Sequence, residues 1–150
     1  MTAGLHSTRM VVIDASVALK WQLEDEQDTP QALTLRDDLL IRKRITLSAP
    51  SLYFYELING ITSAVRRRRL QQSQGEEALH NLFSIEVALR TPPFERAYTI
   101  ALEYSLSAYD SAYVALAETL GADLWTADRQ LYDAIADSLP WVRWIGDYPV

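Results

Sequence analysis

Met10, Val11, Val12 and Ile13 form an unbroken apolar run, rich in β-branched residues, that stops at an acid, Asp14. A run with no polar alternation has no face to show to water, so it fits a central strand covered on both sides. Such a strand needs parallel neighbours joined by helical crossovers, and the rest of the chain supplies them. Four more short apolar segments read as strands, at residues 45–49, 85–89, 123–126 and 141–145. Between them, apolar residues at helical spacing predict helices over 17–23, 31–44, 52–69, 75–83, 94–104, 108–120 and 129–136. Pro30 closes an acidic loop of Glu24, Asp25, Glu26 and Asp28, and Arg42, Lys43 and Arg44 fall in the last turn of the second helix, where cations suit the dipole. Gly121 stands where a helix stops in the left-handed conformation. The expected architecture is a three-layer α/β/α fold around a mainly parallel, five-stranded sheet.

A chain of 150 residues with 49% hydrophobic content builds one buried core, expected over residues 10–147, and no repeat or flexible linker divides it. Residues 1–9 have little apolar periodicity and are expected to be a disordered tail. The start has no apolar signal region and no run approaches the roughly 18 residues of a membrane span, so a cytoplasmic protein with no membrane partner is expected. Cysteine is absent, which removes disulfides, thiolate metal sites and cysteine nucleophiles. The net charge of −6 argues against holding nucleic acid by bulk positive charge, though not against local contacts.

In an open parallel sheet, ligands bind beyond the carboxyl ends of the strands, where strand order reverses. Four acids belong to that end of the chain's elements. Asp14 follows the first strand, Asp128 the fourth, Asp110 opens the helix that begins at Ala108, and Glu56 lies within the helix that follows Pro50-Ser51. Each also has a purely structural explanation. Asp128 and Asp14 suit helix caps or turns, and Ser107 with Asp110 has capping-box spacing. Glu56 shares a stripe with Asn59, Gly60 and Ser63, which is either a solvated face with a salt bridge to an arginine or a carboxylate facing a cleft with room for a ligand. Four converging carboxylates repel one another unless a cation sits among them. Oxygen-only donors, with His6 in the tail and His80 on a helix, select Mg²⁺ or Mn²⁺ over zinc.

Taken together, four motifs resemble those of PIN-domain ribonucleases, and most closely the VapC-type toxins of toxin–antitoxin pairs. They are VVIDASVALKW at 11–21, YELING at 55–60, AYDSAYVALAE at 108–118 and LWTADRQL at 124–131, in the family's order. The resemblance covers about residues 10–147 and implies a PIN-like fold. It places a catalytic, metal-binding acid quartet on Asp14, Glu56, Asp110 and Asp128. It implies Asp14 and Asp110 as direct ligands, with Glu56 and Asp128 binding directly or through water. Ser16 and Thr126 then fix the carboxylates. The implied activity is Mg²⁺- or Mn²⁺-dependent endonucleolytic cleavage of RNA that leaves a 5′-phosphate and a 3′-hydroxyl. The implied partners are RNA, a VapB-like antitoxin and a second copy in a homodimer.

Arg66, Arg67, Arg68 and Arg69 end the helix that carries Glu56. They read either as a phosphate or antitoxin contact or as cations complementing a helix end. Trp21, Tyr53, Phe54 and Tyr55 suit base stacking or, more simply, core or dimer packing. Two rival functions stand beside the nuclease. A haloacid-dehalogenase-like phosphatase needs a second Asp two residues after the first, where Ser16 stands. A non-catalytic PIN-like module that only binds RNA or protein does not need four intact acids.

Overall fold

A computed structural model describes residues 8–23 and 25–150. Of the tail expected at residues 1–9, residues 1–7 lie outside the described residues, as does Glu24, and Arg9 belongs to the first strand, where it pairs with Ile45. In chain order the elements are β1 (Arg9–Ile13), α1 (Ala15–Leu19), α2 (Thr29–Leu40), β2 (Ile45–Ala49), α3 (Leu52–Arg66) and α4 (Gln72–Phe83). There follow β3 (Ala88–Leu89), α5 (Phe94–Tyr104), α6 (Ala108–Leu120), β4 (Asp123–Thr126), α7 (Arg129–Ile135) and β5 (Val142–Trp144), then a 3₁₀ turn over Ile145–Asp147.

The sheet order is β3-β2-β1-β4-β5 and all four pairings are parallel. Strand β1 is central, as its unbroken apolar run requires: Val11, Val12 and Ile13 are fully buried. The chain builds outward from β1 through β2 to β3, then crosses to the other side for β4 and β5. Strand order therefore reverses between β1 and β4, the point at which open α/β sheets take their ligands. The helices of the crossovers pack with α6 against β1 and β4, α7 against β4 and β5, α2 against β2, and α3 between α1 and α4. Among the described residues no helix is long and apolar enough to cross a membrane.

Several element ends differ from expectation for local reasons. Helix α1 starts at Ala15, directly after Asp14, rather than at Val17, and residues 20–23 continue as turns. Pro30 does not close a loop. It sits in the first turn of α2, where a missing N–H costs nothing, so the helix begins at Thr29. That helix ends at Leu40, before the basic run: Lys43 is left-handed at φ 54°, and the Arg42 guanidinium turns back to Asp38 Oδ1 at 3.1 Å. Helix α4 starts three residues early because Gln71 and Gln74 form a reciprocal capping box, which a search for Ser or Thr passes over. Strand β3 keeps two residues, since Ile85 is held by the end of α4 through its N–H to Leu82 O. Strand β5 ends at Trp144, where Ile145 turns into the 3₁₀ segment. Gly121 closes α6 at φ 62°, as expected.

Candidate active site

Asp14 is carried by the end of β1 to the switch point, where only 6% of it is exposed. It occupies the cap position of α1, yet its side chain caps nothing. Instead the Ser16 hydroxyl donates to Oδ1, and the Thr126 hydroxyl donates to Oδ2 at 2.5 Å. Each hydroxyl in turn accepts a backbone N–H, Ser16 from Ala127 at 2.9 Å and Thr126 from Asp128 at 3.0 Å. A hydroxyl that accepts from an amide has its single proton left for the carboxylate, so the direction of both bonds is set. The net joins the ends of β1 and β4 and fixes both oxygens of Asp14.

Three further acids stand around it. Asp128 caps α7, Oδ1 accepting from Gln130 N at 3.0 Å and Leu131 N at 3.2 Å, so the capping explanation holds for it and occupies one oxygen. Asp110 opens α6, whose cap is Ser107: the Ser107 hydroxyl accepts the Asp110 N–H at 3.1 Å. Capping thus explains Ser107 and the Asp110 backbone, and Ser107 also pulls the Asp110 carboxyl down against the rise from burial and Asp128. Among the described residues Glu56, on α3, makes no salt bridge to an arginine. Its Oε1 accepts from the buried Tyr113 hydroxyl at 2.6 Å. Tyr113 is one turn after Asp110 on α6, and the sequence reading assigned it no part. An i, i+3 spacing between Asp110 and Tyr113 was the available signal.

These carboxylates feel one another. Burial pushes Asp14 from 3.8 up to about 7; its two hydroxyl donors pull the other way, and Asp128 and Glu56 add to the rise. Glu56 is raised by burial, with Asp110 and Asp128 contributing against the Tyr113 hydrogen bond. Asp110 is raised by burial and by Asp128. The four acids predicted from sequence therefore share one electrostatic neighbourhood, and no lysine or arginine contributes to any of these shifts. Among the described residues none of the four has a basic partner at ion-pair distance, and no three acidic or imidazole side chains draw close enough to form a closed metal cage. Uncompensated negative charge presented by hard oxygen donors fits a cation that keeps much of its own water, as Mg²⁺ does, and gives no foothold to a soft metal.

The remaining candidates are sorted by their contacts. Only Arg66 lies in the last turn of α3; Arg67 is its cap and Arg68 is left-handed at φ 61°. Arg69 turns away to Asp25, Nη2 to Oδ1 at 2.6 Å, and to Glu26 at 3.5 Å, so it clasps the loop after α1. Gly60 does not leave room for a ligand: a Cβ there would run into the Leu19 side chain, so the glycine lets α1 and α3 approach. Trp21 and Tyr53 are core residues, the Trp21 indole donating to Ala32 O at 2.8 Å, and Phe54 packs between Tyr53 and Phe83. Tyr55 is exposed, as is His80.

An open parallel sheet with an acid cluster at its switch point defines a class of α/β protein, and comparison with known proteins narrows it. The PIN domain profile matches residues 11–136. Over 127 residues the chain is 38% identical to ribonuclease VapC9 of Mycobacterium tuberculosis, spanning 83% of this chain and 90% of that one. It is 30% identical over 125 residues to ribonuclease VapC3 of Pyrobaculum aerophilum, spanning 81% and 91%. The crystal structure of PAE2754 from Pyrobaculum aerophilum superposes with a TM-score of 0.61 at 25% identity, covering 85% of this chain and 86% of that one. The chain belongs to the PIN-domain family.

Proposed function

We propose that this chain is an endoribonuclease that hydrolyses RNA phosphodiester bonds at the carboxyl edge of β1 and β4, and that it serves as the toxin of a toxin–antitoxin pair. The observation that carries the reading is the cluster itself: four carboxylates, one of them buried, gathered at the switch point with no positive partner among the described residues. The relatives named ribonuclease VapC support the same activity.

Asp14 and Asp110, with Glu56 and Asp128, would hold Mg²⁺ or Mn²⁺. Bound there, the ion supplies Lewis-acid charge that makes water a better nucleophile and offsets the charge gathering on the phosphate. The protein's own groups do the positioning. Ser16 and Thr126 fix Asp14 so that its oxygens cannot rotate away. Tyr113 occupies Oε1 of Glu56, which leaves Oε2 to orient the attacking water and to take up its proton, a task that a raised carboxyl serves better than an ordinary one. Water attacks phosphorus in line and the bond to the 3′ oxygen breaks, leaving a 3′-hydroxyl and a 5′-phosphate.

A VapB-like antitoxin and a second copy of the chain are the proposed protein partners. The exposed apolar side chains of α3 and α5, with Tyr55 at 72%, Phe94 at 76% and Leu102 at 66% exposure, support homodimerisation. Arg66, Arg67 and Arg68, roughly 15 Å along α3 from Glu56 by helix rise, are assigned to antitoxin or distant RNA and not to the reaction.

Purified protein should cleave RNA with Mg²⁺ or Mn²⁺ and stop in EDTA, leaving 5′-phosphate ends. Asp14→Asn and Asp110→Asn should both be folded and inactive. Full activity in EDTA, or in either variant, rejects the mechanism. Tight RNA binding without cleavage in either metal favours the binding-only module instead. Growth arrest on expression, relieved by a small neighbouring open reading frame, tests the toxin role.

A further inference from the structure

The carboxyl edge of the sheet carries a second feature that the acid cluster does not use. Strand β5 pairs with β4 so that Trp144 registers with Thr126. That puts the tryptophan one strand spacing, about 5 Å, beyond the threonine that holds Asp14. Arg129 directly follows Asp128, and its guanidinium carbon lies 3.8 Å from the centroid of a Trp144 ring. Tyr132 supports the same indole with ring centroids 5.7 Å apart. Gly146 makes room for it, since a Cβ at that position would stand 2.6 Å from the indole Nε1.

The contact with the ring holds the guanidinium in place without using its donors. The one ion pair of Arg129 among the described residues is with Asp133 at 3.7 Å, and both side chains are more than half exposed, so it holds little. Lys20, at the end of α1, is different: it is buried and gives its ammonium to Gln27 O at 2.6 Å. Arg129 is thus an aromatic-seated cation at the residue after Asp128, far enough out to contribute to none of the shifts of Asp14, Glu56 and Asp110, and the acids themselves repel a polyanion. A planar, stacked guanidinium with free edges suits a phosphate diester.

We infer that Arg129, seated on Trp144, binds the RNA phosphate next to the bond being cut, which makes the β5 side of the acid cluster a substrate subsite. This rests on the ribonuclease reading. It separates binding from chemistry: Arg129 sets KM, and the carboxylates set kcat.

The test uses a short oligoribonucleotide with a mapped cleavage point and a neutral methylphosphonate placed in turn at each flanking phosphate. With wild-type protein, one flanking position should raise KM about five- to tenfold, the range for a partly exposed charged hydrogen bond. Arg129→Gln should raise KM equally on the unmodified RNA, leave kcat within about twofold, and add nothing further on the modified one. The slope of log KM against log salt should fall by about 0.7, one phosphate contact on a single strand. An unchanged KM and salt slope in Arg129→Gln, or a methylphosphonate cost that persists in the variant, overturns the subsite. If Arg129→Gln melts early, the wild-type scan still decides, because no sensitive flanking phosphate also overturns it. A wild type that cuts no RNA removes the ribonuclease reading and this inference together, whereas cleavage with an indifferent Arg129→Gln removes this one alone.

Discussion

Replacing Asp14 by Asn should stabilise the protein in EDTA, and by more at alkaline than at acid pH. Asp14 is the group whose burial costs most: its carboxyl rises from 3.8 to about 7 on folding. The folded state then holds a proton that the unfolded chain has released. Below about pH 4 both states are protonated and Asp14 costs nothing on this account. Between pH 4 and 7 stability falls as pH rises, and above 7 the full cost is present, on the order of 4 kcal/mol. At pH 5 the same linkage gives roughly 1–2 kcal/mol. Asn has the shape of Asp and no charge; its oxygen keeps one hydroxyl donor, while its amide faces the other and makes that hydroxyl turn its proton away, a cost of about 1 kcal/mol that is the same at every pH. The variant should therefore exceed wild type by a margin that widens by about 2–3 kcal/mol from pH 5 to pH 8. At 2–4 °C per kcal/mol this amounts to roughly 10 °C in Tm at pH 8. Urea and thermal unfolding of both proteins at both pH values measure it. Saturating Mn²⁺ should raise the wild-type Tm and leave the variant unmoved, reversing their order. An Asn variant less stable than wild type at both pH values, or a margin that does not change with pH, refutes the reasoning.

Thr126→Val removes the hydroxyl shared by Asp14 Oδ2 and the Asp128 N–H; it should cost about 1–3 kcal/mol in urea unfolding and lower kcat/KM by about 10–100-fold. Tyr113→Phe deletes the donor that holds Glu56 down, so Glu56 should rise further and the acid limb of the pH–rate profile should move to higher pH, with the fold intact by circular dichroism. Gly60→Ala forces its new Cβ against Leu19 and should lower stability by about 1–3 kcal/mol while the Tm gain on adding Mn²⁺ stays as in wild type.

The legible part of the sequence was whatever a local pattern determines. An unbroken apolar run specified β1 as central, and the position of acids after strands one and four placed Asp14 and Asp128 at a switch point that the strand order then supplied. Asp110 and Glu56 were harder, because a capping box or a solvated stripe explains each without a site. What distinguishes them is tertiary: the Asp110 carboxyl is raised by burial and by Asp128 from another element, and Glu56 meets Tyr113 from another helix. Gly60 shows the reverse error. Small residues beside a carboxylate suggested a cleft, but the space is filled by Leu19, a contact no periodicity within α3 can reveal. The arginine run was misplaced because nothing in four identical residues marks where the helix stops, and its end is set by the left-handed turn at Arg68 and the pull of Asp25 on Arg69. Trp144 gave no local signal, since its nearness to Asp128 depends on β5 joining β4 in one register.

The central claim is that the four carboxylates are held together to bind a divalent cation. Titrating metal-free protein with Mn²⁺ and reading free Mn²⁺ by electron paramagnetic resonance tests this without reference to any substrate. The account predicts saturable binding to wild type that is lost or much weakened in Asp14→Asn and in Asp110→Asn, both still folded. Binding of the same strength in wild type and both variants, or none in wild type, would contradict it.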